Sequence, residues 1–294
     1  MIILKKNMRK IMLFVVLFFI LTTIILAHEE PTKTLKERQE KVKRKTAIFI
    51  AKVKTSTSWE YEIISGKASE KKWKILHQEY DKTGNLTGVS TYKNDSLVER
   101  AEYTYNANHD MMTDIDFTPH GIILEKNVYT FDKQGRVLSG ECFNGRNIMT
   151  ERFVNKFNRT NNTIEFIKYG KNNSLDYTIL YKYPNDFDKF EYNEAIKKNA
   201  QGEQLQKIEK KISPAKLLTE KKVFGKDDQG TYSFEFKYNA KKDIQEIIKK
   251  NKNGSVVWKE EYLYQQNGNL YETQKTDAQG NLISVVKYTY EFYK

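Results

Sequence analysis

"VYTFDKQGRVLSG", residues 128–140, decides the fold. Tyr129 and Phe131 stand two apart with Thr130 between them, and Val137 opens a second apolar stretch after a short interruption that begins "DKQG". In that interruption the Asp132 carboxylate can accept from backbone N–H groups two residues on, and Gly135 at the fourth place takes the positive φ that closes a type I turn with a bulge. Loops of this kind join antiparallel strands. The stretch therefore reads as one β-hairpin.

Variants of the hairpin recur along most of the chain. Aromatic residues entering the turns include Tyr80, Tyr92, Tyr105, Phe117, Phe131, Phe143, Phe157, Tyr169, Tyr183, Phe224, Tyr238 and Tyr264, and two further turns open at Asn251 and Asp277. From Phe117 to Tyr183 the steps alternate 14, 12, 14, 12, 14. Two turns thus fill a period of about 26 residues, within the range that signals stacked supersecondary units, none of which buries its apolar face alone. Between Tyr183 and Phe224 the rhythm weakens, but "KNAQGEQL" at 198 and "ISPAKLL" at 212 keep it.

Beside the turns, rings fall at alternate places: Tyr103 and Tyr105, Tyr181 and Tyr183, Phe234, Phe236 and Tyr238, then Tyr288, Tyr290 and Phe292, with Lys, Thr and Glu between. This is the pattern of half-buried strands with one apolar and one wet face. Aromatic residues make up 13% of the chain and supply the packing. Open twisted sheets seldom exceed about ten strands without curling. The expected fold is all-β, an elongated, curled antiparallel meander or solenoid of about twelve to sixteen strands.

Residues 1–27 differ from the rest. Lys5, Lys6, Arg9 and Lys10 precede an apolar run from Ile11 to Ala27, and polar "HEEPTKT" follows. That order predicts a secretory signal cut near Ala27. A bilayer span needs about 17 to 25 residues, and the run sits at the lower edge of that range, so an uncleaved anchor is the alternative. Either way the chain is expected to be exported, to the periplasm, cell surface or medium. No Cys stands directly after the run, which excludes lipoprotein acylation. Cys142 is the single cysteine, so no internal disulfide forms.

The formal charge of +12 first suggests a nucleic-acid binder. Of 50 basic and 38 acidic residues, four basic ones precede residue 28, and nine basic and four acidic ones lie in 28–55. That leaves 37 against 34, a near-neutral body without the concentrated stripe phosphates require. Residues 28–46 read as a charged linker with helical spacing, Lys33 to Glu37, Glu37 to Lys41 and Glu40 to Arg44 all four apart. The β-repeat domain is then 47–294.

At "YDKTGNLTGVSTY" (80–92), "YTFDKQGRVLSG" and "YLYQQNGNLYETQKTDAQGNLISVVKYTY" (262–290) the chain resembles YD-repeat, RHS-like proteins, whose units carry aromatic-x-aromatic-Asp-x-x-Gly-x-Leu. The Tyr-Asp pair itself stands at Tyr80-Asp81 and is softened to Phe131-Asp132, Tyr105-Asn106 and Tyr238-Asn239. The resemblance implies an exported, surface-associated β-repeat of carbohydrate-binding character. In large RHS proteins the repeats enclose a toxin domain; here "KYTYEFYK" ends the sequence inside a strand pattern, and no toxin domain is expected.

Catalytic constellations are absent from the sequence. His28, His77, His109 and His120 have no neighbour at metal-ligand spacing, and no nucleophile elbow, Walker loop or dinucleotide fingerprint occurs. Asp132, Asp277 and the pair Asp227-Asp228 are acids of the type a glycosidase uses, but hydrogen bonding within their turns already accounts for them. No cofactor or metal is expected. A curled sheet with Tyr hydroxyls at its rim suits stacking on sugar rings, and Trp59, Trp73 and Trp258 are the candidate platforms. The expected function is a non-enzymatic binding or structural module at the cell envelope, for a glycan or a surface protein. Nucleic acid is not an expected partner, and membrane contact is expected only through 1–27 if uncleaved. The alternatives are a carbohydrate hydrolase using turn carboxylates and an orphan component of a polymorphic-toxin system.

Overall fold

Asp-, Asn- and Gly-bearing turns divide the chain into short alternating strands, and in the computed structural model these strands form one antiparallel sheet of 18. The structure describes residues 33–225 and 230–294; the segment 1–27, expected to be a signal, and the turn at Asp227-Asp228 lie outside the described residues. The strands are β1 (Val53–Ile64), β2 (Lys67–Tyr80), β3 (Leu86–Lys93), β4 (Ser96–Tyr105), β5 (Met111–Phe117), β6 (Ile123–Phe131), β7 (Val137–Asn144), β8 (Met149–Asn158) and β9 (Thr163–Tyr169). They continue as β10 (Leu175–Lys182), β11 (Glu194–Asn199), β12 (Gln204–Ile212), β13 (Leu218–Gly225), β14 (Tyr232–Tyr238), β15 (Ile244–Asn251), β16 (Val256–Tyr264), β17 (Leu270–Asp277) and β18 (Leu282–Phe292). Each pairs with the next, and β1 pairs with β18 in the register Ser56↔Tyr290, Ser58↔Tyr288 and Glu60↔Val286.

The sheet is therefore a closed up-and-down barrel, which corrects the expected open, elongated meander or solenoid. Closure removes both unpaired edges, a liability that an open sheet of this width would carry. The strand count also exceeds the expected twelve to sixteen. The β1–β2 hairpin turns on Ser65-Gly66 without an aromatic-Asp lead-in, so the repeat does not announce it.

Turn chemistry follows the sequence reading. The Asp81, Asp132 and Asp277 carboxylates accept from the N–H of Thr83, Gln134 and Gln279 at 2.8, 2.8 and 2.9 Å. Each also accepts from the N–H four residues on. Asn106, Asn144, Asn199, Asn239 and Asn251 do the same with a side-chain amide oxygen. Gly84 and Gly135 take φ of 84° and 81° at the fourth place. At Gly84 the space a side chain would need is filled by the backbone of Lys45 and Phe49, so the helix described next packs directly onto this turn.

That helix, α1 (Leu35–Ile50), starts inside the expected linker and runs beyond its end at residue 46. Thr34 caps it, with Glu37 completing a capping box. Sixteen residues span roughly 24 Å, enough to run from the β10–β11 loop to β1, half the barrel's strands away. Leu35 N–H donates to Asp188 (3.1 Å), Lys36 pairs with Glu191 (2.7 Å), and Arg38 pairs with Asp110 (2.8 Å). The helix thus crosses one mouth of the barrel. Of the polar surface that read as a spacer's, Lys36 and Arg38 are taken up by loop carboxylates, while most of residues 39–50 stay exposed.

Candidate functional site

Cross-strand partners share a face, so the pairing register sorts every strand residue as inward or outward. Outward positions hold charge ladders. Lys182, Glu194, Lys207 and Glu209 link at 2.6, 2.9 and 2.8 Å across β10, β11 and β12, and Lys237–Glu246, Lys250–Glu235 and Lys287–Glu272 continue them. A lipid-facing strand carries an apolar band, and each Lys or Arg at mid-membrane costs about 2 to 4 kcal/mol. The chemistry of this wall is that of a surface in water. No helix among the described residues is long and apolar enough to cross a membrane.

The interior has two halves. At the helix end it is filled. The β10–β11 loop folds inward so that Phe187, fully buried, packs with Ile164 and Tyr183 against Phe157, Tyr181 and Tyr192. Asp188 beneath it accepts from Arg136 (3.2 Å), Arg159 (2.9 Å) and the first turn of α1. Beside α1 a cleft of about 600 Å³ opens between the β4–β5 and β6–β7 turns, lined by Arg38, Asn108, Asp110, Tyr129 and Gln134. Four tyrosines that close strands at this end, Tyr105, Tyr238, Tyr264 and Tyr290, donate their hydroxyls to the carbonyls of Leu86, Leu218, Ile244 and Leu270 at 2.7 to 2.8 Å. These hydroxyls tie neighbouring hairpins together, so they are not the free rim groups that the sequence suggested.

The other half is unevenly exposed: Lys275 is buried at 7%, whereas the β8 side is open. Glu151 turns inward with Cys142 and Lys168, yet its side chain is 43% exposed. Barrels of about 16 to 18 strands are wide enough to leave an aqueous channel. The lining is largely divided by charge, with Glu260 opposite Lys275 as an acid on the basic side. On β4 to β8 the inward positions include Glu99, Asp114, Asp116, Glu125 and Glu151. On β9 to β17 they include Lys168, Lys197, Lys210, Lys221, Lys249 and Lys275, interleaved with rings.

One register row shows the interleaving: Lys221, Phe234, Lys249 and Trp258 stand side by side on β13 to β16. Lys275 lies over the Trp258 ring at 3.9 Å, Lys249 over Tyr232 at 4.6 Å, and Phe234 meets Trp258 at 6.0 Å. A second cluster places Lys168 and Lys197 over Tyr177 at 5.7 and 3.8 Å, with Phe166 and Phe153 stacked beyond it. Burial pulls the ammonium pKa of Lys221, Lys249 and Lys275 downward, with neighbouring Lys210 and Lys275 adding to it at the first two. A ring face within about 6 Å of an ammonium eases that desolvation. Facing them, burial and then the nearby Asp116, Glu125 and Glu99 push Asp114 up to about 7.

The three tryptophans do not converge. Trp59 faces outward, its indole N–H donating to Thr289 with Lys72 over its ring. Trp73 faces inward and donates to Glu60 (3.0 Å). Only Trp258 joins the lysine row. The lysines were missed because adjacent strands, not adjacent residues, put them beside rings. Cys142 is buried on the inward face, and burial pushes its thiol up to about 11. His77 bonds Thr57 (2.9 Å), and His109 approaches Asn85 (3.4 Å) in a turn. No group of three ligating side chains able to hold a metal occurs among the described residues.

No protein-family model matches this chain, and no curated protein matches it. Among solved structures it is similar to a porin-like protein from Bacteroides uniformis (10% identity, 81% of this chain and 98% of that one, TM-score 0.42). A porin-like protein from Bacteroides vulgatus is similar over the same shares at 10% identity and TM-score 0.32. A TcdB2–TccC3–Cdc42 structure matches at 9% identity over 78% of this chain and 14% of that one, TM-score 0.30. Likenesses this remote leave function to the chain's own residues.

Proposed function

We propose that the barrel is an exported, non-enzymatic binding protein whose accessible lumen takes an acidic glycan. The observation that carries this reading is the inward row Lys221, Phe234, Lys249, Trp258 with Lys275 against it. Aromatic faces stack on sugar rings, and ammonium groups already stripped of water gain from a carboxylate or sulfate brought beside them. The acidic arc on β4 to β8 repels the same ligand and so directs it to the lysine side. Turn carboxylates do not offer a hydrolase's acid. Burial works to raise Asp81 and Asp132, but hydrogen bonds from Thr83 and Asn85, and from Arg136 and Gln134, hold both below the usual carboxylate range. Bonds from Asn281 and Gln279 do the same at Asp277.

The test uses Trp258 as the reporter in a chain carrying Trp59→Phe and Trp73→Phe, titrated with oligogalacturonate and with a neutral cello-oligosaccharide. The expected result is a salt-sensitive change in Trp258 emission with the acidic oligomer only, weakened at least about tenfold by Lys249→Gln. Equal response to the neutral oligomer, no response to either, or cleavage of the polymer that Asp132→Asn abolishes would overturn the reading.

A further inference from the structure

The two rims of the barrel present different chemistry. Asp and Asn caps occur in the turns of both ends; the helix end is distinguished by α1, which bridges it and leaves its own Phe49 (56%) and Ile50 (72%) exposed. At the opposite end, four of the hairpin tips carry an exposed aliphatic residue at or beside the turn: Ile64 (56% exposed) in β1–β2, Ile122 (65%) in β5–β6, Ile148 (53%) in β7–β8 and Leu175 (38%) in β9–β10. Ile123, Leu124 and Met149 beside them are also exposed. Tips of adjacent hairpins stand about 10 Å apart, two strand spacings. The aliphatics therefore form an arc of separate points, unlike the contiguous apolar centre that a protein interface buries.

Exposed cations accompany them along the arc: Lys67 beside Ile64, Arg146 beside Ile148 and Lys171 ahead of Leu175, with Lys93 on the intervening β3–β4 turn and the exposed Asp176 as an acid after Leu175. On that turn Asp95 is occupied by the Lys74 N–H (2.6 Å). On the other side of the same rim the turns Asn199–Glu203, Asn251–Ser255 and Asp277–Asn281 hold no exposed large apolar residue themselves, and only Val257 (41%) and Ile283 (40%) stand exposed just beyond the last two. Isolated aliphatic side chains flanked by cations match one environment, the headgroup region of an anionic bilayer. There apolar groups enter by about 5 to 10 Å and Lys or Arg meets lipid charge.

We infer that the hairpin tips carrying Ile64, Ile122, Ile148 and Leu175 seat this rim on an anionic lipid surface. The charged outer wall stays in water, and the turns at 199–203, 251–255 and 277–281 leave their side of the lumen clear of the lipid. This adds a membrane contact beyond the one expected of residues 1–27, and it stands independently of the glycan reading.

The test places an environment-sensitive fluorophore at Ile122→Cys in the full chain with Cys142→Ser, and at Asn108→Cys, on the helix end, as the comparison. Vesicles are phosphatidylcholine with or without phosphatidylglycerol, and brominated lipid reports depth. The expected result is a blue shift and bromolipid quenching at position 122 on the anionic vesicles, and neither at position 108. Combined Lys67→Gln, Arg146→Gln and Lys171→Gln should weaken this signal at least about tenfold. Equal responses at both positions, which tethering through the apolar N-terminal run alone would produce, overturn the inference. So does a position-122 label that stays in water on both vesicle types.

Discussion

The helix end and the open end of the barrel are built from the same repeating hairpin, yet one is welded and the other bare. At the helix end each turn carboxylate or amide caps its own turn, and Asp110, Asp188 and Glu191 additionally hold α1. At the open end the turns are closed mainly by their own backbone and Asx bonds, with Asp95 and Asn173 each tied to a neighbouring strand, and no helix bridges them. Stability is thus concentrated at one mouth, and the chemistry that can meet a ligand lies at the other.

The largest expected effect is at the welded end. Asp188→Ala leaves Arg136, itself buried and stacked on Phe157 at 4.7 Å, without this carboxylate, and removes the partner of the α1 N-terminus. Breaking a buried pair of this kind costs about 3 to 5 kcal/mol, to be read as a fall in the urea midpoint. An unchanged midpoint would show that the helix end is not where the barrel is held.

Next comes Asp114 in the open half. Its raised pKa means that the folded chain keeps a proton which the unfolded chain has lost. This group's contribution is therefore most favourable below about 3.8 and is lost as pH rises through about 7. Asp114→Asn should flatten the pH dependence between those values and raise stability at pH 8 by about 2 to 4 kcal/mol. A pH profile identical to the parent's would contradict the crowded acidic arc.

Tyr290→Phe removes one clamp onto the Leu270 carbonyl (2.7 Å) and should cost about 1 kcal/mol, measured by denaturant unfolding. At the bottom of the scale, Ile122→Ser at an exposed tip should change stability by no more than about 0.5 kcal/mol while altering vesicle contact. A large loss of stability there would mean that the tip is structural.

Much of this was legible beforehand. The paired-turn period, the alternation of rings and the Asp-x-x-Gly turns specify antiparallel hairpins, because turn geometry and strand alternation are local. Closure was not. It depends on Val53–Tyr61 pairing with 285–292, segments with no motif in common that lie at opposite ends of the β-repeat domain. The helix was visible in its charge spacing, but its anchoring was not, since Asp188 and Glu191 lie in the least regular part of the repeat. The lumen's lysines were hidden for another reason. Along its own strand Lys249, next to Lys250, looks like a water-facing residue, and only its register against Phe234 and Trp258 turns it inward.

The measurement that bears most directly on the closed barrel is a pulsed electron-resonance distance between spin labels at Thr57→Cys on β1 and Thr289→Cys on β18, outward-facing partners in the closing register. Closure predicts a separation under about 20 Å, that of neighbouring strands with their label arms. An open sheet of 18 strands at about 4.8 Å each holds its first and last strands several tens of Å apart, and a distance in that range would contradict the barrel.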